Sequence, residues 1–178
     1  TGGLGYYDVA VSVESTFVYD ELGTLNGQNF YESFATTGER WYRVTAGRTG
    51  YVTAEALFAS GGGNVEVAIY SSQQNLLANG SANGAGSRVN YHATQGEVLF
   101  IRLSGTNADV DLRLTNQVTL SGGTVTVAGT SGNDTMSFVA GANHVVTVGG
   151  VAYSFASGSV GTFLIEGGSG NDTITLTG

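Results

Sequence analysis

Apolar and polar residues alternate with a period of two through most of this chain and almost nowhere repeat at 3.6, a pattern that restricts it to half-buried β-strands. The clearest runs are Tyr51-Val52-Thr53-Ala54-Glu55-Ala56-Leu57-Phe58, Val65-Glu66-Val67-Ala68-Ile69-Tyr70 and Val110-Asp111-Leu112-Arg113-Leu114. Turn residues precede the second and third, as Gly61-Gly62-Gly63-Asn64 and Gly105-Thr106-Asn107. The run Val98-Leu99-Phe100-Ile101-Arg102-Leu103 is more continuously apolar and predicts a central strand buried on both faces. The segment 78–87, rich in Gly, Ser, Asn and Ala, predicts an exposed loop. With 29 glycines and no proline, the turns must come from Gly and Asn, which tolerate positive φ. Short strands at this spacing predict an all-β fold, a sandwich or jelly roll.

Composition narrows the function. Only 11% of residues are charged, less than half the usual share of about 25%. Lysine is absent, the six arginines are scattered, and the net charge is −8. A phosphate backbone or anionic membrane surface is repelled by such a chain, so no nucleic-acid partner is expected. No run approaches the roughly 18 apolar residues that span a bilayer, so no membrane insertion is expected either. The absence of cysteine removes disulfides, thiolate metal sites and cysteine nucleophiles together.

From about Glu14 to Asn116 the order of features resembles the bacterial pre-peptidase C-terminal domain, a jelly-roll β-sandwich of secreted peptidases and large surface proteins. The residues that carry the resemblance are Leu22-Gly23-Thr24-Leu25-Asn26-Gly27, Trp41-Tyr42-Arg43-Val44, the strands at 51–58 and 65–70, Leu76-Leu77-Ala78, Gly96 through Leu103, and the closing strand at 110–114. The chain departs from the family where Glu39-Arg40 stands in place of an acidic dipeptide associated with calcium. The resemblance implies an accessory module without chemistry of its own.

The last sixty or so residues contain an internal repeat. Val125–Phe138 and Phe163–Leu176 align without a gap, Gly129 with Gly167, and Ser-Gly-Asn-Asp-Thr recurs at 131–135 and 169–173. Each copy resembles the nonapeptide of RTX, or hemolysin-type, calcium-binding β-rolls: Gly167-Gly168-Ser169-Gly170-Asn171-Asp172-Thr173-Ile174-Thr175 matches throughout, and the copy from Gly129 lacks only the second glycine. The resemblance implies calcium as cofactor, with Gly129, Asn133 and Asp134 and their counterparts Gly167, Asn171 and Asp172 as the candidate metal turns. In a β-roll the ion lies between successive turns, so copies 38 residues apart are each expected to supply half a site at best. Between them, His144 to Phe155 predicts a two-residue hairpin turning at Gly149-Gly150. A small sheet whose turns have β-roll chemistry is therefore expected after the sandwich, not a true roll.

Two readings of Asp134 and Asp172 stand side by side. They ligate calcium, or Asn-Asp shapes a turn by side-chain to backbone bonds. Asp109 and Asp111 share one strand face and are expected to be answered by Arg113 or Arg102. His92 and His144 lie in strand patterns with no G-x-S-x-G elbow nearby, and no zinc-protease helix or phosphate loop is present, so no catalytic residue is expected. Trp41 is expected in the core, with the tyrosines left open as packing or as a sugar platform.

The expected organisation is an N-terminal strand at 1–13, a sandwich at 14–117 and a repeat-containing extension at 118–178. The leading functional expectation is a non-enzymatic structural module of a secreted or cell-surface bacterial protein, a building block of an extracellular filament or adhesin-like array. Strand patterns at 7–13 and 173–176 would join copies or neighbouring modules by strand addition. The alternative is a carbohydrate- or calcium-binding accessory domain of a secreted hydrolase, with polysaccharide as partner.

Overall fold

The computed structural model describes residues 17–59, 61–84 and 86–178. The strand pattern expected at 7–13 lies outside the described residues. Within them the chain is all-β, as expected, and forms a β-sandwich with a second, smaller sheet at its C-terminal end.

Two long strands organise the sandwich. They are β2 (Gln28–Ala46) and β8 (Val98–Ser121), antiparallel to each other over most of their length. The first half of β8 lies between the second half of β2 and β4 (Val65–Ser71). Its second half lies between the start of β2 and β3 (Gly50–Leu57). The pair therefore bends across from one layer into the other, a device by which one strand serves both layers of a sandwich. Gly38 and Gly105 are register partners at the bend, with φ of 84° and 135°. The residues Gly105-Thr106-Asn107, expected as a turn between two strands, are thus a corner inside one strand.

The remaining strands extend the layers. β1 (Asp20–Leu25) runs parallel to β2, and Arg40 and Arg43 on β2 pair with Asp20 and Glu21. β5 (Leu76–Asn79) pairs with β4, while β7 (Gly86–Ala93) pairs with β3 and carries the two-residue β6 (Ser81–Ala82). The expected loop at 78–87 is therefore built mostly of short strand pieces, exposed at 81–84. Alternation places Tyr42, Val44, Val52, Ala54, Val67, Ile69, Ile101, Leu103, Leu112 and Leu114 in one buried cluster between the layers. Each Leu or Ile buried there contributes about 1.5–3 kcal/mol.

The central strand is covered on its other face too. Phe100 is buried beneath Phe17 and Tyr19, edge-on to both. Trp41 lies on this outer face, not in the core as expected. In β2 it is Tyr42 and Val44 that point inward, and Trp41 packs edge-on against Phe17 and tilted against Tyr70 instead.

The C-terminal strands are β9 (Thr124–Ala128), β10 (Thr135–Val139), β11 (Asn143–Val148), β12 (Val151–Ala156), β13 (Thr162–Glu166) and β14 (Thr173–Thr177). β8 continues into β9 through a tight hairpin, and β13 joins the far edge of β9. The smaller sheet has the order β12-β11-β10-β14. Its expected hairpin is present, with Gly149 and Gly150 at φ of 55° and 77°. A second buried cluster, including Val118, Val125, Val127, Met136, Val146, Val148 and Tyr153, fills the space between the sheets.

Candidate functional site

The 38-residue repeat becomes a stack. β13 pairs in parallel with β9, Thr162 opposite Thr124 through Glu166 opposite Ala128. β14 pairs in parallel with β10, Thr173 opposite Thr135 through Thr177 opposite Val139. Every residue therefore faces its own repeat counterpart one strand away. Each copy is a rung of strand, turn and strand, and the β11–β12 hairpin takes up the intervening residues, returning the chain in the same direction. The hairpin folds the intervening length away, so the two turns meet although they lie 38 residues apart in sequence.

The turns at 129–134 and 167–172 lie against each other through a ladder of bonds. The Gly129 N–H donates to the Glu166 carbonyl at 2.6 Å, and the Ser169 N–H to the Thr130 carbonyl at 3.2 Å. The Asn171 N–H donates to Asn133 Oδ1 at 2.8 Å, and the Asp134 N–H to Asp172 Oδ1 at 2.9 Å. Within the first turn, Asp134 Oδ2 accepts from the Thr130 N–H at 2.6 Å and its hydroxyl at 3.0 Å. Glycine is required where the rungs touch, since a side chain on Gly129 would collide with the Gly167 carbonyl. Gly168 and Gly170 adopt φ of 89° and 115°, open to glycine at little cost.

All six residues of the candidate metal set are thus brought together. Calcium takes 6–8 oxygen ligands, as a rule with several carboxylates. Here the two aspartates already accept N–H and O–H donors, and no group of three or more His, Cys, Asp or Glu able to hold a metal ion occurs among the described residues. As arranged, the turns fit closure by their own backbone and not a calcium cage.

A second polar cluster, which the pattern did not reveal, docks the extension onto the sandwich. Glu55 is only 2% exposed and is bound by Arg113 at 2.6 Å, with Arg88 at 3.9 Å and the Asn83 amide donating at 3.1 Å. Register sets this up, since Glu55 stands opposite Arg88 on β7 and Arg113 on β8. Both arginines reach across to the smaller sheet, Arg88 to the Ala152 carbonyl and Arg113 to that of Gly149. Beside them the Tyr153 hydroxyl bonds the hydroxyls of Thr53 and Thr115 at 2.9 and 2.8 Å. Burial pushes the Tyr153 phenol above its ordinary value, partly offset by these two bonds. Glu55 sits at a polar position of an alternating strand, which read as a solvent face until the smaller sheet covered it.

The other sequence candidates are placed as follows. Arg113 pairs with Glu55, and Arg102 with Glu39. His92 meets the Tyr51 ring edge-on, and His144 lies tilted against Phe138 and edge-on to Phe163. Glu39, at the family's acidic dipeptide, accepts from the Trp41 indole and from Arg102. A cleft of about 330 Å³ beside the docking cluster is lined by Tyr51, Arg88, Asn90, Tyr153 and Phe155, and its Arg88 and Asn90 bond each other.

No protein-family model and no curated protein matches this chain. Among solved structures, it is similar to the pre-peptidase C-terminal domain of collagenase from Bacillus anthracis, with 17% identity over 58% of this chain and 98% of that one and a TM-score of 0.42. It is also similar to PliG of Aeromonas hydrophila, a periplasmic inhibitor of g-type lysozyme, with 11% identity over 55% and 98% and a TM-score of 0.39.

Proposed function

We propose that this chain is a non-enzymatic structural module of a secreted or cell-surface protein, a building block of an extracellular array whose neighbours add strands to the outer edge of β13 and β14. The observation that carries the reading is the state of the second rung. Met136 is 1% exposed, while its counterpart Ile174 is 45% exposed; Val127 is fully buried, while its counterpart Ile165 is only half-buried. The same apolar positions are covered in the first rung and uncovered in the second, because nothing among the described residues flanks the second rung on its outer side. Open edges of this kind are normally paired or covered.

The two aspartates serve the turns in this reading, which needs no ion. An exposed aromatic platform, which the polysaccharide alternative calls for, finds little support where Trp41, Tyr70, Phe17 and Phe100 cover one another.

The test is a proline placed on the outer edge. The Thr173 N–H and the Thr177 carbonyl bond toward β10, so Ile174 and Leu176 turn their backbone groups outward. Leu176→Pro removes an outward donor and keeps the pairing with β10. Introduced into the native extracellular protein, it should abolish assembly seen by electron microscopy while the circular dichroism of the isolated chain stays unchanged. Assembly equal to the parent's would overturn the reading.

A further inference from the structure

We infer that the occupant of this edge is a third rung of the same kind, a polypeptide strand-turn-strand that runs parallel to β13 and β14 and carries an aspartate at the position of Asp172. The inference rests on the strand-addition reading and names its partner. Between the first two rungs the contacts are directional. The asparagine side chain of the first rung accepts from the asparagine N–H of the second, and the aspartate carboxylate of the second accepts from the aspartate N–H of the first. Carried one strand further by the same register, this pattern places Asn171 as acceptor and the Asp172 N–H as donor on the outer side, where Asn171 is exposed. Any residue but proline meets the first through its own backbone N–H, whereas the second needs a side-chain acceptor: an aspartate at that position meets it, and an apolar residue leaves the Asp172 N–H unpaired at a cost.

The remaining outward groups follow the same order. The Thr162 N–H and the Glu166 carbonyl bond toward β9, so Phe163 and Ile165 turn their backbone groups outward, as Ile174 and Leu176 do on β14. An apolar residue at each of these positions in a new rung would cover its counterpart below, as Ile174 lies over Met136.

A second copy of the described chain cannot supply this rung. The parallel ladder requires the inner edge of the incoming rung, the edge that faces the rung before it. In this fold the inner edges of β13 and β14 are taken by β9 and β10, whose own far edges are taken by β8 and β11. Growth is therefore possible on one side only, and the rung comes from another segment with an aspartate at that position of its turn.

The full chain is mixed with a synthetic peptide of the sequence of residues 162–178, or with the same peptide carrying alanine at the counterpart of Asp172. Amide hydrogen exchange is read at Phe163, Ile165, Ile174 and Leu176. At saturation the first peptide should slow exchange at these positions by about tenfold or more, the alanine peptide should leave it unchanged, and the Leu176→Pro chain should lose the effect on β14. Equal slowing by both peptides overturns the inference and leaves strand addition standing. No slowing by either overturns it whatever the outcome of the assembly experiment.

Discussion

The carboxylate of Asp172 accepts a hydrogen bond from the backbone N–H of Asp134, so the acid of one repeat copy holds the backbone of the other. Its counterpart Asp134 is turned to its own loop, accepting from Thr130. The same residue type at the same repeat position thus does two jobs, closing a turn and stapling two rungs.

Removing the staple should be felt locally. Asp172→Ala leaves the Asp134 N–H without its acceptor and is expected to cost about 1–3 kcal/mol in chemical denaturation. Asp172→Asn keeps a side-chain oxygen and should cost less. Because the turns are closed by the chain itself, the melting temperature should be the same in chelator and in millimolar calcium; a rise with calcium would assign the carboxylates to an ion.

The docking cluster gives a sharper contrast. Glu55→Ala strips a 2% exposed carboxylate from two arginines and is expected to cost about 3–5 kcal/mol. Glu39→Ala breaks an exposed pair with Arg102, its own side chain 52% exposed, and should cost about 1 kcal/mol or less. Urea titration of the two variants checks both values.

The corner between the layers depends on glycine. Gly105 has φ of 135° and faces the Asn64 carbonyl, so Gly105→Ala adds both backbone strain and a clash. A loss of about 1–3 kcal/mol is expected, read as a lower denaturation midpoint with an unchanged slope.

Alkaline pH should unfold the chain. Burial raises the Tyr153 phenol above its ordinary value of 10.0, and Tyr42 and Tyr91 are raised the same way. The folded chain therefore holds these protons more tightly than the unfolded one. That contribution is fully present below the unfolded value and is lost as pH rises through the folded ones. The melting temperature should fall as pH is raised above 10, and less steeply in Tyr153→Phe.

Local pattern revealed most strands and little of their partnership. The alternation at 51–58 and 65–70 and the Gly149-Gly150 hairpin stand where the residues placed them, because strand period and turn chemistry are local properties. Trp41 and Glu55 did not. Which face of a strand meets water depends on what else covers it, and Phe17 and the smaller sheet come from far away in sequence. The repeat at 129 and 167 was visible as identity, but parallel pairing at that distance depends on how the intervening hairpin folds back. The corner at Gly105 hid for a related reason: the same residues make a turn or a bend according to the strand lying alongside.

Neighbours are proposed to join this module at the outer edge of its second rung. Amide exchange at Ile174 and Leu176 is compared between the isolated chain and material from its native source. Fast exchange in isolation and strong protection in the native material is the predicted result; equal exchange in the two would contradict the claim.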